Sequence, residues 1–223
     1  MATLVGIVGE SGTGKSRSAL DLNPKETFII NVQGKALPWR GSASSYNVET
    51  NKNIANIDSW LKVHEHIIGV ASNRPEIKTI FIDDAGFIMA TEYFKRASET
   101  GYGKFSEIGQ HMFNIIDSSK KLRDDLKIVF TFHPETETDL LGQTRTKIKT
   151  IGKLLDNSYT LEASLPIVLY TEVSFDKDGA PIYQFLTNIT QTCPAKSPEG
   201  MFDNLKIENN LKTVIDAIDQ YYK

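Results

Sequence analysis

Cysteine is nearly missing from this chain. Cys193 stands alone among 223 residues, so no intramolecular disulfide can form and a disulfide-stapled scaffold is excluded. No apolar run approaches the roughly twenty residues that span a bilayer, which excludes a membrane-spanning helix. An excess of charge is missing too. Twenty-five Lys plus Arg stand against 28 Asp plus Glu, for a net charge of -3. No global basic field therefore advertises a nucleic-acid partner, and any basic site has to be local. Proline and glycine, at 8 and 15 residues, are too scarce for a collagen-like or linker-like chain, and there is no internal repeat or low-complexity stretch. The opening residues enter a strand-like run with no charged n-region or cleavage site, so with the lone cysteine a cytoplasmic location is expected. What is present, 40% hydrophobic and 24% charged residues, sits near globular averages and predicts one domain over residues 1–223 with a sizeable core.

Short β-branched runs alternate with helical periodicity. Leu4 to Val8 reads as a buried strand feeding a glycine-rich turn, with a helix expected from about Lys15 until Asn23-Pro24 breaks it. Thr27 to Val32 is the next buried strand and closes a βαβ unit, and the polar stretch Gly34 to Asn53 reads as a long surface loop. Ile57 to Val70 has helical spacing, with Ile57, Trp60, Leu61, His64, Ile67 and Ile68 on one side. Lys78 to Asp84 is a strand ending in two acids. A helical stretch around Met89 to Ser98, a helix from Ser106 to Asp125 and the strand Lys127 to Phe132 follow. Ile167–Phe175 and Pro181–Thr187 flank Asp176-Lys177-Asp178-Gly179, a hairpin signal, and a last helix is expected from Asn209 to Tyr222. The fold class is therefore α/β, a mostly parallel sheet with an antiparallel hairpin extension.

Gly9-Glu10-Ser11-Gly12-Thr13-Gly14-Lys15-Ser16 satisfies G-x-x-x-x-G-K-[ST], with a strand before it and a helix expected after it, as the motif requires. Glycines let consecutive backbone N–H groups converge on phosphates, Lys15 reaches the β/γ-phosphates and Ser16 offers a hydroxyl to Mg²⁺. ATP and Mg²⁺ are the ligands expected. Asp83, at the end of an apolar strand, is placed to hold the Mg²⁺ shell opposite Ser16. Asp84 has two readings: a carboxylate that polarises the attacking water, or a cap on the following helix. His133 stands where a neighbouring parallel strand runs out. It reads as a γ-phosphate sensor or as a turn-capping histidine. His64 and His66, two apart on a helix, do not share a face and make no zinc pair. Asp176 and Asp178 lack the remaining ligands of a calcium loop and are explained by turn chemistry.

Together, Gly9–Ser16, Phe28–Pro38, Ile82-Asp83-Asp84, Gly101–Phe105, Thr150–Lys153 and Ala195–Phe202 resemble the phage P-loop nucleotide-binding proteins with a RecA-like core, the group that includes the "Sak four" single-strand annealing proteins. The resemblance implies an ATP-dependent protein of DNA recombination or replication that binds single-stranded DNA and forms homo-oligomeric rings or filaments. A single-strand DNA-binding protein is a further partner of that kind. One departure matters. RecA-like ATPases usually carry a catalytic glutamate after the second strand, and Gln33 stands there, so either Asp84 substitutes or hydrolysis is slow. Arg145, Lys147, Lys149 and Lys153 form the densest basic stretch, where the resemblance implies a DNA-binding loop. A solvated lysine face is the other reading. Trp39, Tyr46 and Tyr102 are candidates for base stacking or for loop anchors. Lys196, between Pro194 and Pro198, matches a lysine that the resemblance places across a subunit boundary at the neighbour's γ-phosphate. Otherwise it is a surface lysine.

Two other functions compete. A small-molecule or nucleotide kinase uses the same loop but closes an arginine-bearing lid, whereas Arg17, Arg40, Arg74, Arg96, Arg123 and Arg145 are scattered singly. A nucleotide-gated binding module with little turnover is compatible with Gln33.

Overall fold

The apolar runs all become strands of one sheet. The computed structural model describes residues 1–138, 144–151, 160–191 and 193–223. Strands β1 (Thr3–Val8), β2 (Thr27–Asn31), β3 (Ile54–Asn56), β4 (Thr79–Asp83), β5 (Lys127–Phe132), β8 (Ile167–Phe175), β9 (Pro181–Leu186) and β10 (Lys206–Glu208) form it. Their order is β10-β9-β8-β1-β5-β4-β2-β3. The run from β8 to β3 is parallel, and β9 and β10 extend it antiparallel. β6 (Pro134–Thr138) and β7 (Thr144–Ile148) make a separate antiparallel ladder that the sequence reading did not foresee. Their alternating Glu, Thr, Arg and Lys residues carry no apolar face to signal a strand.

Each central strand buries both faces, which is why the strands read as continuous apolar runs rather than alternating ones. Leu4, Val8, Ile80, Ile82, Ile128 and Phe130 face one core, with helices α2 (Trp60–Asn73), α3 (Gly86–Lys95) and α4 (Gly103–Lys120) over it. Val5, Ile7, Phe81 and Val129 face the other, covered by Leu22, Leu37, Tyr46 and the last helix. The short α1 (Ser42–Ser45) and α5 (Leu161–Ser164) are single turns, and the last helix, α6 (Leu211–Tyr221), begins where the Asn210 side chain accepts from Lys212 N at 2.9 Å. No helix among the described residues is long and apolar enough to cross a membrane.

Three expectations are corrected. The helix from Lys15 is a single 3-10 turn, Ser16–Ala19, continued by Leu22 N to Ala19 O at 3.2 Å. The i→i+3 bonds Leu20 N to Arg17 O and Leu22 N to Ala19 O carry the chain on as tight turns to Leu22, and Pro24, which has no N–H to donate, lies just beyond. β1 and β2 are parallel but not neighbours, because β5 and β4 lie between them. On α2 the buried stripe is Val63, Ile67, Val70 and Ala71, while Leu61 is 47% exposed. Ile67 is common to both faces, and Trp60 packs on the core and stacks on His111 of α4 at 3.7 Å, so the face is shifted by part of a turn rather than reversed.

Candidate functional site

Parallel strands deliver their following loops to one end of the sheet, and the phosphate loop leaves β1 there between β5 and β8. Gly12 and Gly14 have φ of +81° and +96°, backbone conformations that a side chain resists. At Gly9 the constraint is space, since a side-chain carbon there would lie 1.7 Å from Thr171 Oγ1 on β8. Thr171 Oγ1 donates to Thr13 Oγ1 at 2.7 Å, which donates to Glu10 O at 2.7 Å, so β8 clamps the loop from the side. Asn209, at the start of α6, donates to Thr13 O at 3.2 Å.

The Lys15 ammonium is buried in the loop's curve and donates to Gly9 O and Glu10 O at 2.7 and 2.8 Å. Burial lowers its pKa, and the carboxylates of Asp84, Asp83 and Glu10 oppose that shift. Ser16 Oγ donates to Asp83 Oδ1 at 2.8 Å, joining the phosphate loop to the end of β4 across the sheet. Thr131 Oγ1 of β5 donates to the same oxygen at 3.1 Å. Burial pushes the Asp83 carboxyl up, with Asp84 adding to the rise and the two hydroxyl donors opposing it. A hydroxyl and a carboxylate in contact are hard oxygen donors of the kind Mg²⁺ takes.

Asp84 turns through the left-handed region, φ +59°, and its amide donates to Thr131 Oγ1 at 2.7 Å. That strained turn aims the carboxylate at the cavity rather than down α3. The helix-capping reading has no support, because the residue before α3 is Ala85 and no side chain caps that helix. Lys35 Nζ donates to Asp84 Oδ2 at 3.0 Å, and His133 Nε2 lies 3.6 Å from Asp84 Oδ1. His133 rests edge-on to Phe87 at 5.7 Å. Burial and the Lys15 charge hold its pKa below the ordinary histidine value, with Asp84 and Glu10 opposing, which favours the neutral ring.

A cavity of about 790 Å³ joins these groups, within the size range of small-ligand pockets, and its lining includes Gly12, Lys15, Ser16, Asp83, Asp84 and His133. Arg17, Lys35, Tyr183, Glu208 and Asn209 also line it, and sequence reasoning missed their part in it. Lys35 had a signal, since it follows a parallel strand at the same end of the sheet as the phosphate loop. Tyr183, Glu208 and Asn209 had none, because only the antiparallel return of β9 and β10 brings them over Gly14. A second cavity, of about 470 Å³, lies around Thr3, Asp124, Asp125, Lys127 and Asp219, and the phosphate loop takes no part in it.

Gln33 is not among the cavity residues. Arg145 and Lys147 lie on β7 and Lys149 just beyond it, outside the cavity lining, and Lys153 lies outside the described residues. The β6–β7 ladder sets Glu135 opposite Lys147 and Glu137 opposite Arg145, and Lys147 Nζ reaches Glu137 Oε1 at 2.6 Å. Lys196 exchanges two backbone hydrogen bonds with Val168, level with Gly6 and below the strand ends. Its ammonium is half-buried, with a pKa lowered by burial and raised by Glu162. Trp39 and Tyr46 meet edge-on at 6.1 Å and Tyr46 is buried, so this pair anchors its loop, whereas Tyr102 is exposed ahead of α4. His64 bonds Ser118 and His66 its own helix, and among the described residues no group of three or more His, Cys, Asp and Glu is placed to hold a metal. Asp176 Oδ1 accepts from Asp178 N and Ala180 N at 2.9 and 2.8 Å, which is turn chemistry.

Asp83→Asn keeps an acceptor for Ser16 but removes the charge that a divalent cation needs. Mg²⁺-dependent turnover is expected to fall at least about tenfold while Mg²⁺-free nucleotide affinity stays within about twofold. Steady-state kinetics beside titration without Mg²⁺ checks this, and equal loss of both would mean misfolding.

A family model described as "AAA domain" matches residues 2–197, from the start of β1 through Ser197. No curated protein matches the chain.

Proposed function

The chain belongs to the AAA domain family, P-loop nucleotide-binding NTPases, and from that premise we propose that it hydrolyses ATP with Mg²⁺ and acts on single-stranded DNA as a homo-oligomer in recombination or replication. The contact that carries the ATPase part is Ser16 Oγ to Asp83 Oδ1, 2.8 Å, beside the buried Lys15 ammonium. Lys15 neutralises the β/γ-phosphates, and Ser16 with Asp83 would hold Mg²⁺, which when bound would offset the phosphate charge. Asp84 orients the attacking water and takes its proton, in place of the glutamate that Gln33 does not supply. His133, neutral and beside Asp84, donates a hydrogen bond to the transferring phosphoryl group.

The DNA part rests on the β6–β7 hairpin, which leaves the sheet directly after His133 and whose far strand is tied back by Lys149 N to His133 O at 2.9 Å. That connection offers a physical route from a strand lying on Arg145, Lys147, Lys149 and Lys153 to the γ-phosphate side of the cavity. Glu135 and Glu137 temper the basic charge, so binding is of modest affinity and sensitive to salt. Replacing Lys147, Lys149 and Lys153 together by alanine is expected to leave ATP binding intact. The salt slope of single-stranded DNA binding should shrink by roughly 0.7 for each phosphate contact removed. An unchanged slope, measured by fluorescence anisotropy at several salt concentrations, returns these lysines to a solvated face. Lys196, in an assembly, delivers its ammonium to a neighbour's site, the role that the family resemblance implies.

Phosphate release with and without single-stranded DNA tests the whole reading. Stimulation by DNA supports it, turnover only with a small phosphate acceptor identifies a kinase, and silence despite tight ATP binding identifies a nucleotide-gated module. The kinase reading is disfavoured because Arg17 is the single arginine lining the cavity among the described residues.

A further inference from the structure

Among the described residues two lysines line the cavity. Lys15 sits inside the phosphate loop, and Lys35 on the loop that leaves β2. The backbone of Lys35 is fixed to the acid-bearing strand. Gly34 turns the chain at φ +62°, the buried Asn31 amide donates to Lys35 O at 2.7 Å, and Val32 N donates to Asp83 O at 3.2 Å. Its side chain is the opposite case, 64% exposed, with the ammonium 3.0 Å from Asp84 Oδ2 and 5.5 Å from the Phe87 ring. An anchored backbone with an exposed cationic tip is suited to reaching a ligand at one point of the cavity.

The Lys35–Asp84 pair is weak on the lysine side, because an ion pair with one partner mostly in water gains little. Asp84 does not depend on it for position, since its backbone is held by Thr131 and the β4 strand end. Lys35 also lies close enough to Lys15 for the two ammonium charges to repel, so an anion between them satisfies both. Asp84 and His133 mark the end of the cavity where Lys35 stands, while Tyr183 and Asn209 border the flank of the loop at Gly14. With the β-phosphate of a nucleotide in the loop beside Lys15, the γ-phosphate would be the group toward Lys35.

We propose that Lys35 reads the third phosphate: a nucleoside triphosphate seated on the phosphate loop draws the Lys35 ammonium from Asp84 to the γ-phosphate. The cavity thereby distinguishes a triphosphate from a diphosphate. The exchange also leaves Asp84 facing the same phosphate without its cation. This rests on the ATP reading of the site, and it adds a specificity residue from outside the phosphate-loop motif.

Binding of ADP and of the slowly hydrolysed analogue ATPγS, each with Mg²⁺, is measured by calorimetry on the full chain and on Lys35→Ala and Lys35→Arg. Lys35→Ala is expected to keep ADP affinity within about twofold and to lose about tenfold or more in ATPγS affinity, the size of one charge-assisted hydrogen bond. Lys35→Arg should restore most of the preference. Retained ADP binding doubles as evidence that the variant is folded. An unchanged preference in Lys35→Ala, or equal loss for both nucleotides, overturns the assignment while leaving the ATP reading in place. A wild-type chain that binds neither nucleotide overturns both.

Discussion

Replacing Lys15 by alanine is expected to lower ATP affinity by a hundredfold or more, on the order of 3 kcal/mol. Two charge-assisted contacts of about 1.5–3 kcal/mol each are at stake. The ammonium stands at the centre of the loop, 2.7 Å from Gly9 O, where the β/γ-phosphate charge has to be met. Lys35, the other cavity lysine, is rooted on the loop after β2 and stands at the Asp84 end of the cavity, so it does not take over the place of Lys15 inside the phosphate loop. Folding should survive, because Glu10 O keeps the Thr13 hydroxyl at 2.7 Å and Thr171 still clamps Thr13. Calorimetric titration with ATP, beside a thermal melt, checks both halves. Wild-type affinity in a normally melting variant would sink the phosphate-loop assignment.

Asp84→Asn should stop turnover while ATP stays bound. An amide cannot accept the proton of the attacking water, and positioned general-base catalysis contributes about 10²–10⁴-fold. Asparagine is the informative replacement because the site demands φ of +59°, a conformation asparagine tolerates better than alanine does. The amide bond to Thr131 Oγ1 comes from the backbone and is retained. Phosphate release in single-turnover and steady-state assays is therefore expected to drop at least about a hundredfold with unchanged ATP affinity. Gln33→Glu should leave the rate equal or raised. Full activity of Asp84→Asn would remove Asp84 from the mechanism and turn attention back to the loop after β2.

The legible parts of the fold were those where burial on both faces wrote itself into the chain. Thr79–Asp83, Lys127–Phe132 and the β8–β9 hairpin are apolar runs bounded by turn residues, and their types could be read directly. Ser16–Ala19 differs from the α-helix that the motif context predicts, because i→i+3 bonds close its turns, a choice of hydrogen-bond register that the residue types do not encode. β6 and β7 were invisible because a two-stranded ladder with polar residues on its faces has no hydrophobic period. The face of α2 was set by contact with α4, which local periodicity only approximates.

By itself the amino-acid sequence determined the class of ligand. Gly9 through Ser16 are contiguous, and a phosphate cradle made of successive backbone N–H groups is a local object that eight consecutive residues specify. The tertiary structure alone decided what surrounds the phosphates. Lys35 meets Asp84 across 49 positions of chain and Asn209 meets Thr13 across 196, and neither separation is encoded in a motif. Those meetings follow from the order of strands, with β5 inserted between β1 and β4 so that Thr131 reaches Asp83 and His133 approaches Asp84. Strand order is set by which apolar faces pack under which helices, a non-local balance of burial that no short window of sequence contains.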